Sequence, residues 1–322
     1  MESSQITFRD LIAENKRNSY VLVAVMCLFT AVVVTVLGAG ILAIVDPRSL
    51  REAGIGGILL VGAVAALLSL GFSIVGYFAG DQLILATSGA HPITHDEDPE
   101  LFNVVEEMAI AAGVPAPKVY LIEDSAPNAF ATGRDPEHAS VTVTSGLRAK
   151  LTRDELQGVI AHEMSHVRNY DIRLMLLMAV LVGTVAVMAD YLLRATWFSG
   201  GRSRRGDRDS GGGALAIVIL VVAIGLAIFA PVMAQIIQLA VSREREYLAD
   251  ASAVQLTRLP DGLAGALRKI DADQDVLEAA NRGTAHLYIA NPIKAFEQRS
   301  GSMFASHPPI QERIKRLEAL GI

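Results

Sequence analysis

The sequence predicts a mainly α-helical membrane protein with a small β-sheet. Three observations carry that expectation: an excess of apolar residues, four long apolar runs, and polar stretches whose periodicity changes between helix and strand. Of 322 residues, 52% are Ala, Val, Ile, Leu, Met, Phe, Trp, Tyr or Cys. Adding the 27 glycines gives an apolar share of about 60%, against roughly 45–50% in soluble domains. Charged residues supply 19%, and that balance excludes a disordered chain, which needs few apolar residues and much charge. A net charge of -6 gives no general attraction to nucleic acid, which calls for a basic surface. The single cysteine, Cys27, lies in an apolar run and allows neither an internal disulfide nor a thiolate metal site.

Taken in order, Ile6, Phe8, Leu11 and Ile12 alternate with Arg9 and Lys16, a pattern suited to a segment lying on a membrane surface. Tyr20 to Val45 then carries no charge and exceeds the ~20 residues that cross a bilayer as helix. The run is too long for the apolar region of a signal peptide, and no small-residue cleavage site follows it cleanly. Ile55 to Gly80 is a second uncharged run, and the two read as a membrane hairpin. The third, Leu174 to Leu193, is interrupted by Asp190. The fourth, Ala214 to Val241, contains Pro231, Gln235 and Gln238, which suit a helix facing protein or a cavity. Between them Ser199 to Gly213 is a flexible loop rich in Gly and Arg. Its arginines favour the cytoplasm, which leaves open whether this second hairpin crosses fully. The expected divisions are an N-terminal tail and first transmembrane hairpin (1–80), a first polar part (81–172), the second hydrophobic hairpin (173–241) and a second polar part (242–322).

The polar parts carry local signals. Leu101, Val104, Val105 and Met108 have helical spacing, with Asp98 as cap, Pro99 in the first turn and Gly113 as stop. Val119 to Ile122 and Ser140 to Thr144 are β-branched and read as strands. Asp261 to Ala280 and Pro309 to Leu320 have amphipathic helical patterns.

His162-Glu163-Met164-Ser165-His166 is an H-E-x-x-H pattern, in which two histidines one turn apart on a helix bind one Zn²⁺ and the glutamate acts as base. Thr152 and Glu155 form a potential capping box, and Leu156, Val159, Ile160 and Val167 supply an apolar face. The expected fold is therefore four hydrophobic helices plus a zincin-like H-E-x-x-H catalytic domain. A catalytic zinc takes three protein ligands, so a third is needed. Glu246 and Asp250, spaced i and i+4, share a helix face. Glu246 is the candidate ligand, and Asp250 the acceptor for the far nitrogen of a ligand histidine, with Asp171 a second candidate for such a role. A solvated helix end leaving the membrane is the plainer reading of Glu246 taken alone. Because the two halves of the site flank the second hairpin, either both of its apolar segments cross or neither does.

Pro127-Asn128-Ala129-Phe130-Ala131-Thr132-Gly133, Thr144-Ser145-Gly146-Leu147, the His162 to Asp171 stretch, Ser242 to Asp250, Asn291-Pro292 and Ser306-His307-Pro308-Pro309 occur in an order that resembles the HtpX family. These are membrane zinc metalloproteases related to the CAAX prenyl proteases. The resemblance implies one zinc ion per chain on His162, His166 and Glu246, Glu163 as general base, and Asn128 to Gly133 as the strand along which substrate lies. It also implies a multi-pass inner-membrane protein with its catalytic part facing the cytoplasm, acting on damaged or misfolded membrane proteins in the lipid bilayer, with no nucleic-acid partner. The Ser199 to Gly213 loop departs from the family pattern.

On this reading an extended peptide lies against Asn128, Ala129, Phe130, Ala131 and Thr132, Asn128 orienting it by hydrogen bonds. Phe130 either lines a pocket or packs beneath the strand. His307 or Tyr247 is the candidate oxyanion stabiliser, although a proline-bounded histidine also suits a turn. The rival class is a non-catalytic membrane scaffold or regulator with a structural zinc site. Such sites are usually closed by four protein ligands, often cysteines, and this chain offers three donors and no nearby cysteine. His91, His95 and the acidic Asp96-Glu97-Asp98 run read as a solvated segment, and His138 and His286 lack ligand-spaced partners.

Overall fold

The computed structural model describes residues 8–45, 47–181, 243–278, 284–290 and 308–320. The chain divides into two compact units, one of residues 1–19, 78–179 and 237–322, the other of 20–77 and 180–236. Two long helices, α1 (Phe8–Val45) and α2 (Pro47–Thr87), have their outer segments, 8–19 and 78–87, in the first unit, and their remaining residues supply most of the described part of the second unit. Within it Leu22, Phe29 and Ala65 are buried, and the Cys27 thiol donates to Ser73 Oγ at 3.0 Å. Outward, Leu59, Leu60, Leu67, Leu68, Phe72 and Val75 are exposed. Large apolar side chains exposed in such number along one helix suit contact with lipid or another protein. Among the described residues Gly62–Thr87 is long and apolar enough to cross a membrane, with 26 residues and a mean hydropathy of 1.8.

The helix limits differ from the apolar runs read in the sequence. From Phe8 the N-terminal tail is helical and continuous with the rest of α1, because no glycine or proline interrupts the chain before Gly38. The second helix runs past Gly80 to Thr87, since Asp81 and Gln82 are compatible with helix and the stop comes at Gly89, with φ +67°. The third apolar run is helical from its start to residue 181, in a helical stretch that begins at 171; its remainder, all of the fourth run and the loop between them lie outside the described residues.

The first unit contains a four-stranded sheet in the order β1-β2-β4-β3, made of β1 (His91–Pro92), β2 (Lys118–Ile122), β3 (Ala129–Gly133) and β4 (Ala139–Thr144). β2 and β4 are parallel, with Tyr120 opposite Thr142, and β3 runs antiparallel to β4 with Phe130 opposite Thr142. Both predicted strands form, each one residue longer at its start. Every residue of β3 and β4 is buried, so β3 is an edge strand covered by other parts of the unit.

α3 (Pro99–Ala112) starts where Asp98 accepts from the Leu101 N–H at 3.1 Å and ends at Gly113, whose φ of +69° suits glycine. α4 (Ser145–Lys150) leads into α5 (Arg153–Arg168), which opens on the complete Thr152/Glu155 capping box. α6 (Arg243–Thr257), α7 (Pro260–Ala272) and α8 (Ile310–Leu320) follow. α7 is shorter than its pattern. At Asp273 the chain turns extended, Asp273 accepts from the Asp275 N–H at 3.0 Å, and Lys150 pairs with both carboxylates at 2.5 and 3.3 Å.

One core joins the sheet to the helices through Leu101, Val105, Val141, Val143, Leu156, Ile160, Leu263 and Leu267, all 1% exposed or less. α5 runs through this core. At its crossing with α7 two glycines allow the backbones to meet: a Cβ on Gly158 would lie 2.5 Å from Leu263 N, and one on Gly262 would lie 2.6 Å from Asp154 O.

Candidate metal centre

α5 carries His162 and His166 one turn apart, and its interior position buries both, at 1% and 5% exposure. Their Nε2 atoms face each other at 3.2 Å. α6 brings Glu246, itself 1% exposed, to 3.8 Å from His162 Nε2 and 3.6 Å from His166 Nε2. Ligand atoms held tetrahedrally at ~2.0–2.1 Å from one zinc ion are about 3.3 Å apart. The three donors, all within 4.8 Å of one another, are grouped on that scale.

The Nδ1 atoms point the other way. His162 Nδ1 is 3.0 Å from Asp250 Oδ1, and His166 Nδ1 is 3.0 Å from Asp171 Oδ2. A carboxylate on Nδ1 holds the proton there and leaves Nε2 as the lone-pair donor. Glu163 is 2% exposed and accepts from the Ala131 N–H of β3. Burial pushes its carboxyl above the usual range, opposed by the two histidines.

Four buried carboxylates, Glu163, Asp171, Glu246 and Asp250, therefore surround the histidines. Burial disfavours charge on His166, but Asp171 and Glu246 outweigh it and raise the ring to about 9. An environment that draws a proton onto a buried imidazole is negative enough to favour a cation. The donor set thus fits Zn²⁺ in number, type and charge.

Arg313 is the buried partner that sequence reasoning missed. It comes from α8, is 0% exposed, and grips Asp250 through Nε to Oδ2 at 2.9 Å and Nη2 to Oδ1 at 2.7 Å. Nη1 donates to the Ile289 carbonyl at 2.8 Å and lies 3.6 Å from Glu246 Oε2, while Nη2 is 3.4 Å from His162 Nδ1. Burial raises the Asp250 pKa, but Arg313 and His162 outweigh it and hold the carboxyl down at about 2. A signal was present: Arg313 occupies an apolar-stripe position beside Ile310, Ile314 and Leu317.

The other predicted residues are placed as follows. Asn128 donates from Nδ2 to the Ala290 carbonyl at 3.1 Å, and its Oδ1 accepts from the Ala129 N–H at 3.1 Å. The Ala129 carbonyl accepts from the Ile289 N–H at 2.9 Å. Phe130 is fully buried and packs edge-on against Tyr288, with centroids 5.0 Å apart. Thr132 is buried within β3. The Tyr247 hydroxyl donates to Glu312 and Arg316 covers its ring at 3.6 Å, so its contacts are with α8 rather than with the histidines. His307 lies outside the described residues. His138 pairs with Asp135 at 2.6 Å, and the His286 ring meets the Met175 carbonyl at 3.1 Å; neither joins the cluster.

Two histidines of an H-E-x-x-H helix, closed by a glutamate from a second helix, form the donor arrangement of a metallopeptidase. The comparisons with known proteins agree. The profile of Peptidase family M48 matches residues 95–320, and the chain belongs to that family; it is a metallopeptidase, a hydrolase of peptide bonds. It is 46% identical over 267 residues to a Protease HtpX homolog of Thermoanaerobacter pseudethanolicus, covering 83% of this chain and 86% of the relative. A Protease HtpX homolog of Dictyoglomus thermophilum is 43% identical over 315 residues, 98% of this chain and 95% of the relative. A crystal structure of S. mikatae Ste24p aligns with a TM-score of 0.47 at 21% identity, covering 78% of this chain and 57% of that one.

Proposed function

We propose that the protein is a membrane-anchored zinc endopeptidase that cleaves damaged or misfolded membrane proteins, with its site on the cytoplasmic side. The observation that carries the chemistry is the buried trio of His162, His166 and Glu246, with carboxylates behind both imidazoles. These three residues would hold the ion, and bound zinc supplies Lewis-acid polarisation of a peptide carbonyl and of water. Glu163, one position from His162 and shielded from solvent, takes the proton from the attacking water and returns it to the leaving amine. Asp250 and Asp171 fix the tautomers of His162 and His166.

The substrate peptide adds to the outer edge of β3, where backbone bonds supply affinity with little reading of sequence. Ile289 already uses the Ala129 carbonyl and Ala290 already uses Asn128. A peptide that binds there takes over those two bonds. The apolar helical span Gly62–Thr87 supports the anchoring role, as do its exposed leucines. Residues 81–172 and 242–322 then form the two catalytic parts on either side of the second hairpin, 173–241. Family membership favours the enzyme over a non-catalytic scaffold.

The test is cleavage of an unfolded membrane protein by the purified chain. Glu163→Gln is expected to lower turnover by at least about 10²-fold while retaining zinc. Glu246→Ala is expected to lose zinc. Wild-type turnover in Glu163→Gln overturns the role of that residue, and undiminished zinc in Glu246→Ala removes it from the ligand set.

A further inference from the structure

One buried polar residue lies far from the H-E-x-x-H motif in sequence yet reaches it in space. Asn15 sits on α1, just before the uncharged run that begins at Tyr20, and is only 1% exposed. Its Nδ2 donates to Asp171 Oδ1 at 2.6 Å and to the Asn169 carbonyl at 2.9 Å. The second oxygen of the same carboxylate, Asp171 Oδ2, is the atom 3.0 Å from His166 Nδ1. One carboxylate is thus shared between Asn15 and a histidine of the donor trio. Both partners of the Asn15 amide are pure acceptors, so its nitrogen must face them. The amide oxygen is left buried with no hydrogen bond. Such an atom is costly to keep, and the two bonds made by the nitrogen are what offset it.

Asp171 lies past the end of α5 at Arg168, as the first residue of the next helical stretch, 171–181, so its carboxylate is aimed by the turn between the two rather than by α5 itself. The intervening Tyr170 has φ +62°, a left-handed conformation that a bulky residue adopts only when its surroundings impose it. Here too α1 contributes. Lys16 Nζ lies 4.2 Å from the centre of the Tyr170 ring, and the Arg173 guanidinium lies 4.8 Å from it. Two consecutive residues of α1 therefore act on the turn that aims the Asp171 carboxylate.

We propose that Asn15 is a positioning residue for the metal centre: it orients the Asp171 carboxylate and through it the tautomer and ring plane of His166, so that the start of the first long helix is part of the zinc site. The inference rests on the zinc reading of His162, His166 and Glu246. Asn15 touches neither the ion nor the substrate, and its effect falls on metal affinity and ligand geometry.

The experiment uses the full-length chain in detergent, with zinc affinity measured by competition against a chromophoric chelator and ligand geometry by the absorption spectrum of Co²⁺ in place of zinc. Asn15→Leu, which keeps the bulk and removes the donor, is expected to weaken zinc about tenfold, the lower end for residues that support metal ligands, and to shift the Co²⁺ bands. In an Asp171→Asn background Asn15→Leu is expected to add less than about twofold, because both changes break one chain of bonds. Ser19→Ala, which removes only a bond from Ser19 Oγ to the Asn15 carbonyl within α1, keeps wild-type affinity. Asn15→Asp has the same size with acceptors alone, and loses zinc affinity even where Asn15→Leu does not fold. Wild-type zinc affinity in either Asn15 variant, or full additivity with Asp171→Asn, overturns the inference. A wild-type chain that takes up no zinc, or a Glu246→Ala chain that loses none, overturns the metal reading itself and this inference with it.

Discussion

Replacing Arg313 by methionine keeps a long apolar stem and deletes the guanidinium that Asp250 and Ile289 depend on. Arg313 is 0% exposed, with two bonds to Asp250 at 2.7 and 2.9 Å and one to the Ile289 carbonyl at 2.8 Å. Removing one partner of a buried ion pair leaves the other charge uncompensated and costs about 3–5 kcal/mol. The stem is retained, so little apolar burial is lost and about 4 kcal/mol is the working figure. At roughly 2–4 °C per kcal/mol for a unit of this size, Tm falls by roughly 10 °C. The assay is helical circular dichroism against temperature in detergent with a chelator present, so that metal binding does not add to the measured stability. Asp250→Asn and the double variant complete a cycle, in which the double variant is less destabilised than the sum by at least about 1.5 kcal/mol. A loss below about 1 kcal/mol in Arg313→Met, or strict additivity, refutes the claim that this pair is a coupled buried unit.

Acid sensitivity follows from the same pair. Asp250 is held at about 2, below its ordinary 3.8, so it contributes stability above about pH 4 that is lost as pH falls toward 2. In Arg313→Met the carboxyl rises, and acid unfolding followed by circular dichroism begins at a higher pH than in wild type. Gly158→Ala places a Cβ 2.5 Å from Leu263 N, with backbone as the obstacle; a loss of roughly 1–3 kcal/mol is expected, visible as a lower Tm, and an unchanged Tm contradicts the close crossing of α5 and α7. For the second hairpin, a cysteine placed in the Ser199 to Gly213 loop of a Cys27-free chain is expected to label from the cytoplasm if neither segment crosses, whereas a pair that crosses from a cytoplasmic catalytic side puts the loop outside.

The parts legible in the sequence are those that local chemistry determines. Asp98, Gly113 and the Thr152/Glu155 box act within four residues of their own positions, so the limits of α3 and the start of α5 could be read directly. Strands β2 and β4 showed through their β-branched residues. The end of α7 did not, because its amphipathic pattern runs on past Ala272 and the carboxylates that receive the chain there are claimed by Lys150, far away in sequence. The spacing of His162 and His166 marked the centre, and the i, i+4 pair of Glu246 and Asp250 marked a shared face. Arg313 and Asn15 stayed hidden for one reason: each is defined by a partner about sixty or more positions away, and a lone polar residue at a helix end looks like a solvated one. Arg313 stood on an apolar stripe, which was a readable anomaly.

The direction of α5 has an electrical consequence. Its capped amino end lies at Thr152 and its carbonyl end comes just after His166. A helix carries roughly half a negative elementary charge at that end. The peptide units of α5 thus act together as one more anionic group beside the donors. The same sixteen residues that present two imidazole nitrogens also bias the spot they surround toward a positive guest, with no further side chain required.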